Sequence, residues 1–172
     1  MMPVLTVPPA DPAGVVSMTQ LRNHLRVNEG DDDALIAGFL AAAVQYLDGV
    51  QGMLGRAILQ QTWVVTVAKG GLFRLPLPDV QAVTADYGSG AVPIDMMPSL
   101  VGADVDLSGP ALVTMTAAMG AADRALAAVI VQMIVGHWYD NREAVNVGNI
   151  TSILPLSAEA LIARLRWRWV PR

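Results

Sequence analysis

The sequence predicts an α+β fold: about four helices forming a helical bundle, with a small antiparallel β unit inserted between the second and third. Three observations carry this. Apolar residues recur every three to four positions near both ends of the 172-residue chain. Between those ends, residues 58–87 are rich in Thr and Val and alternate. Gly70-Gly71 and Gly88-Ser89-Gly90 punctuate that stretch as turns. The organisation that follows is an N-terminal arm over 1–16, a single domain over 17–167 and a C-terminal tail over 168–172. Within the domain, 17–56 and 123–167 are helical and 57–122 is the β insertion.

Residues 1–16, rich in Pro and Val without helical periodicity, read equally as an extended arm or a disordered terminus. Ser17-Met18-Thr19-Gln20 matches a capping box, with Val16 and Leu21 at the staple positions. The first helix then runs to Arg26 or Val27, and Asn28-Glu29-Gly30 breaks it. Asp31, Asp32 and Asp33 crowd the start of the second helix, where carboxylates meet the positive end of the helix dipole. Its apolar stripe runs from Ile36 through Leu40, Val44 and Leu47 to Leu54. Strands follow at 58–68, 72–75 and 80–87, with weaker signals near 92–96, 101–107 and 111–116. The third helix runs from Asp123 to about Asn141 and is apolar nearly all round, which calls for burial on more than one face. In so small a chain the second face is expected to meet another subunit. A loop over 145–154 leads to the last helix, Ala158 to about Trp167, with Ser157 as N-cap.

Composition narrows the class. Only 15% of residues are charged, against roughly 25% in an average soluble domain. Counting the 15 glycines and leaving out the 3 tyrosines raises the apolar share from 53% to about 60%. A disordered chain needs the opposite composition. A membrane-spanning helix needs about 20 mostly apolar residues. The longest such run, Ala125–Tyr139, is bracketed by Asp123, Arg124, Asp140 and Arg142. The first residues lack the basic start of a signal peptide. No cysteine is present, so no disulfide or thiolate metal site is available. The surplus of apolar residues therefore points to burial against partner subunits, with the exposed surplus expected on the Ala125–Tyr139 helix and the β unit. The net charge of −4 is uneven: Arg164 to Arg172 holds four arginines and no acid.

The catalytic inventory is thin. The two histidines, His24 and His137, are far apart in sequence, and no zinc-protease motif, nucleophile elbow or phosphate loop is present. Asp31–Asp33 lacks the spaced acceptors of a calcium loop and reads as helix capping. The densest polar and aromatic cluster is His137, Trp138, Tyr139, Asp140, Arg142 and Glu143. It reads either as a helix terminator or as an intersubunit contact with aromatic and Arg anchors. The second cluster is Arg164, Arg166, Trp167, Arg168, Trp169 and Arg172. By residue type alone it suits a membrane interface, a nucleic acid or another protein. No enzyme activity, cofactor or metal is expected.

Six pieces of sequence, taken in order, resemble a known family. They are LRNHLRV at 21–27, DDDALIAGFLAAAVQYLDG at 31–49, GRAILQQTW at 55–63, LPLPDVQAVTADYG at 75–88, HWYDNREAV at 137–145 and LPLSAEALIARLR at 154–166. Together they resemble the head–tail connector (adaptor) proteins of tailed bacteriophages, the group of gp6-like connectors and gp8-type prophage proteins, also found in gene transfer agents. The resemblance implies a structural virion protein of the neck, assembled in the bacterial host cytoplasm. Its subunits form a homo-oligomeric ring, commonly of twelve copies, under the portal. The ring extends the DNA channel and meets the next neck or tail protein. DNA passes through it without specific binding, and no membrane is involved. The C-terminal cluster, Arg164 to Arg172, becomes a portal-docking segment on this reading. The alternatives are a tail-terminator or stopper neck protein, or a small DNA-packaging factor that uses the Arg/Trp tail.

Overall fold

The computed structural model describes residues 2–9, 11–28, 30, 32–99, 102–141 and 154–167. Four helices carry the helical part: α1 (Met18–Leu25), α2 (Asp33–Leu47), α3 (Ala121–Asp140) and α4 (Leu156–Leu165). Eight strands form two antiparallel sheets. They are β1 (Val4–Val7), β2 (Gln61–Val67), β3 (Gly71–Arg74), β4 (Val80–Asp86), β5 (Ala91–Pro93), β6 (Met97–Ser99), β7 (Gly102–Leu107) and β8 (Ala111–Ala117). The larger sheet has the order β1-β2-β8-β4-β5 and the smaller β3-β7-β6.

The α+β class stands, but a helical bundle with one small β unit does not describe the arrangement. The β part is a layer with its own core, and β1 is drawn into it from ahead of the first helix. Val4 pairs with Val64 and Leu5 with Trp63, so the arm covers the edge of β2. Strand alternation builds the β core: Trp63, Val65, Val113, Met115, Val83 and Ala85 face inward and are buried. Val105 and Leu107 close it from the smaller sheet.

The helical core is separate. The expected capping box is present: Ser17 Oγ accepts from the Gln20 N–H at 3.3 Å, and Gln20 Oε1 accepts from the Ser17 N–H at 2.9 Å. α2 and α3 pack through Ile36, Leu40, Ile130 and Ile134, with Leu21 from α1 and Ile162 from α4. Each such side chain contributes about 1.5–3 kcal/mol by leaving water. This packing corrects the expectation for α3. Its apolar faces are used within the chain, because α1, α2 and α4 all lie against it. Val129, 45% exposed, is its one large hydrophobic residue left open. Among the described residues the exposed surplus lies on the β unit, as expected for that part (Leu72, Val92, Met97 and Leu112), and also on β1 (Val4, 64%; Val7, 54%) and at Leu156 of α4 (81%).

Two helix boundaries also differ. α2 stops at Leu47 rather than continuing to Leu54, because Gly49 and Gly55 take left-handed conformations (φ 80° and 63°) that fold 48–56 into successive turns. α4 starts at Leu156 with Pro155 as its N-cap, so Ser157 lies inside the helix and does not cap it. Proline at that position leaves no N–H to satisfy.

The two cores meet along residues 54–63. Ala57 belongs to the β core, Ile58 to the helical core and Trp63 again to the β core. Arg56 sits at this seam. Its Nε donates to Asp79 Oδ2 at 2.9 Å and its Nη2 to Asp123 Oδ2 at 2.6 Å, while Nη1 donates to the Leu165 carbonyl at 3.3 Å. One guanidinium thus joins the β3–β4 loop, the start of α3 and the end of α4.

Removing that guanidinium leaves Asp79 and Asp123 without their cation. The Arg56→Ala variant is expected to lose about 2–3 kcal/mol in urea unfolding. Two glycines predict opposite signs. Gly38 lies on the exposed side of α2 with nothing near its missing side chain. Gly38→Ala is expected to raise stability by about 0.5–1 kcal/mol. At Gly55 the same change meets φ 63° and places Cβ 2.5 Å from the Trp167 carbonyl. Gly55→Ala is expected to cost more than about 1–2 kcal/mol, since the clash adds to the left-handed strain.

Candidate functional site

The two clusters singled out in the sequence lie at different places. At the C-terminal end of α3, the Trp138 ring meets the Phe39 ring of α2 edge-on, with centroids 6.3 Å apart. The Tyr139 hydroxyl donates to Asp32 Oδ2 at 2.7 Å. Asn141 Nδ2 donates to the His137 carbonyl at 2.7 Å, closing the last turn. These aromatic groups therefore clasp the end of α3 to the start of α2. Asp140 is exposed beside them, and Arg142 and Glu143 lie outside the described residues. α1 joins the same corner through the edge of His24, which packs closely on Gly136 (a Cβ there would lie 3.1 Å from His24 Nε2, so the ring would have to shift by a few tenths of an ångström).

The acidic run at 31–33 is divided among these contacts. Asp31 lies outside the described residues. Asp32 takes the left-handed conformation ahead of α2 and makes no side-chain cap. Asp33 receives Arg22 in a two-pronged ion pair, Nε to Oδ1 at 2.9 Å and Nη2 to Oδ2 at 2.7 Å. The hydrogen bonds and charge of Arg22 hold the Asp33 carboxyl below its ordinary value, against a smaller upward pull from burial.

In the C-terminal cluster, Arg164 is exposed. Arg166 and Trp167 are engaged by the domain itself. Arg166 Nε donates to the Met53 carbonyl at 2.9 Å, and the Trp167 N–H donates to the Leu54 carbonyl at 2.7 Å. The Trp167 ring lies over Gly102, where a Cβ would come within 3.1 Å of it. Arg168, Trp169 and Arg172 lie outside the described residues.

One polar group that the sequence reading missed is Asp48. Its Oδ1 accepts from the Ile58 N–H at 2.7 Å and its Oδ2 from the Gln61 side-chain amide. Gln61 Oε1 in turn accepts from Trp63 Nε1 at 3.1 Å. Burial pushes the Asp48 carboxyl above its ordinary value, and these donors only partly offset it. The chain borders an open groove of about 890 Å³ between β1 and the outer side of α2. No motif announces this arrangement, since Asp48, Gln61 and Trp63 are brought together by the turns after α2. Among the described residues, no group of three His, Asp or Glu side chains is placed to hold a metal ion. No described helix is long and apolar enough to cross a membrane.

No protein-family model matches the sequence, and neither does any curated protein. Solved structures do match. One is a chain from the neck of an empty gene transfer agent particle, computed with C6 symmetry. It is 20% identical, with a TM-score of 0.66, covering 99% of this chain and 97% of that one. Another is a chain from the virion of a native gene transfer agent particle, also 20% identical, with a TM-score of 0.65 and the same coverage. The two folds correspond from end to end. That likeness concerns the whole architecture, helical and β layers together, and not one motif within it.

The Arg22–Asp33 pair predicts a pH signature. A carboxyl whose native value is depressed stabilises the fold above its unfolded value, near 4, and that contribution fades as pH falls through the native value. In Arg22→Gln the Asp33 carboxyl is expected to titrate upward toward 3.8. Carbon-13 NMR of the Asp33 carboxyl checks this, and an unchanged titration refutes the assignment.

Proposed function

We propose that the chain is a structural protein of a virion neck, a head–tail connector (adaptor) that forms a ring under the portal and joins head to tail. The observation that carries this reading is the end-to-end fold likeness to a chain in the neck of a gene transfer agent particle. The ordered sequence pieces from 21–27 to 154–166 support it independently. On this reading the ring extends the DNA channel, and the net charge of −4 keeps the wall from gripping the duplex as it passes. The host cytoplasm is the place of assembly. Its partners are the portal, the next neck protein and further copies of the chain.

The C-terminal segment is the portal-docking element on this reading. Arg166 and Trp167 are held by the turn at 53–55, so docking falls to Arg164 and to Arg168, Trp169 and Arg172 beyond the packed tryptophan. At the end of α3, Asp140 with Arg142 and Glu143 supplies polar intersubunit contacts around an aromatic clasp that faces inward. A stopper is the second reading, favoured by one feature: eight strands in two sheets make the β layer as prominent as the helices.

Two experiments test these assignments. Particles lacking the protein are expected to accumulate as filled or emptied heads without tails, and electron microscopy of the particles shows this directly. Normal joining of heads to tails in its absence removes the neck assignment. Deleting residues 168–172, which spares Trp167, is expected to leave thermal unfolding unchanged and to reduce portal binding at least tenfold. Undiminished portal binding by the truncated chain refutes the docking role.

A further inference from the structure

The smaller sheet has two unlike faces. Ala103, Val105 and Leu107 of β7 turn toward the β core. Gly102, Asp104 and Asp106 alternate with them and turn the other way. The ladder sets Leu72 beside Asp106, Arg74 and Met97 beside Asp104, and Ser99 beside Gly102 on that second face. Leu72 is 44% and Met97 41% exposed, and Asp106 is exposed as well. Arg74 and Asp104 form an ion pair in the middle of the face, with Nε to Oδ1 at 3.0 Å.

One end of this face is occupied. The Trp167 ring lies over Gly102, 3.1 Å from where a Cβ would stand. The Trp167 N–H is held by the Leu54 carbonyl at 2.7 Å. The chain therefore leaves the domain from a fixed point on this face. At that point Trp167 Nε1 and Ser99 Oγ are closed off from water without a hydrogen-bond partner. Buried polar groups ordinarily have partners. A backbone passing the β6–β7 hairpin offers a carbonyl to the indole N–H and a donor or acceptor to the hydroxyl.

We propose that the tail, residues 168–172, folds back along this face in the free subunit. Length allows it. Five residues reach about 17 Å, and the step along β7 from Gly102 to Asp106 is about 14 Å. The chemistry matches. The tail reads Arg168-Trp169-Val170-Pro171-Arg172, with a cation at each end and three apolar residues between. The face offers exposed Leu72 and Met97 to the apolar residues and Asp106 to a cation, while Arg74 neutralises Asp104. Tethering selects the occupant. A tail that starts at Trp167 meets this face at an effective concentration of about millimolar, well above that of a second copy in dilute solution.

The fold-back rests on the docking role of the tail and supplies its regulation. The residues that meet the portal are sheltered on their own subunit until the portal displaces them. An exposed ion pair holds only lightly, so the tail is displaced readily and its removal leaves the melting curve unchanged.

The chain has no cysteine, so a single pair can be introduced into the full chain. Leu72→Cys with Val170→Cys is compared with Val92→Cys with Val170→Cys. Val92 is as open, 46% exposed, but lies on the edge strand of the larger sheet. In the free protein, oxidised glutathione is expected to close the Leu72 pair within one chain at least tenfold faster than the Val92 pair. Asp106→Lys is expected to free the tail, raising the tryptic release of residues 169–172 at least fivefold with an unchanged melting curve. Closure at equal rates, or release that Asp106→Lys leaves unchanged, overturns the fold-back and leaves the docking role standing. A disulfide formed only between chains makes a second copy the occupant and also overturns it. With the Leu72 pair closed, portal binding is expected to fall at least tenfold and to return on reduction. If the pair closes within the chain and portal binding is unaffected, the fold-back stands and the docking role fails.

Discussion

The structure turns on one cation at the seam between two cores. The helical and β layers bury their side chains in separate cores, joined along residues 54–63 and where the Trp167 ring meets Gly102. Arg56 adds the charged tie across that seam. Its planar guanidinium reaches Asp79 on the β side, Asp123 in the first turn of α3 and the last-turn carbonyl of Leu165 in α4. The helix dipoles agree with this placement. An acid at the start of α3 and a cation at the end of α4 each face the end of opposite sign. Asp79 holds a left-handed conformation in the same loop, and its carbonyl accepts from the Ala118 N–H at 3.3 Å. The loop is thus anchored at both its side chain and its backbone.

That seam also explains why the C-terminal helix returns to the middle of the chain. After α4, Arg166 bonds the Met53 carbonyl and Trp167 bonds the Leu54 carbonyl. Both acceptors belong to the turns that end α2, immediately before Arg56. The bare Gly55 and Gly102 then make room for the Trp167 backbone and ring. A segment rich in Arg and Trp is therefore divided by geometry. Its first half fastens the domain, and its remainder starts from a fixed point.

Much of the architecture was legible because its signals are local. The Ser17–Gln20 box, the alternation at 61–67 and the glycine turns at 70–71 and 88–90 each depend on a few neighbouring residues. What was not legible depends on partners distant in sequence. Val4–Val7 looks like any extended arm until β2 supplies a ladder for it. The stripe of α2 continues to Leu54 by periodicity, yet Gly49 and Gly55 bend the chain and Asp48 holds the bend through Ile58 and Gln61. The candidate clusters show the same limit. Trp138 and Tyr139 find Phe39 and Asp32 about a hundred positions earlier, and that meeting has no sequence signature.

The apolar surplus shows how composition and geometry divide the question of assembly. A count of hydrophobic residues directs attention to α3, because an all-round apolar helix demands several partners. The chain supplies three of them itself, so α3 keeps little to offer a neighbour. The outer face of the larger sheet escapes the same count, since Thr62, Thr84, Thr114 and Thr116 lie on it and no hydrophobic tally includes threonine. On an open sheet face threonine serves better than leucine. Its hydroxyl keeps the face hydrated, and its branched side chain favours the extended strand.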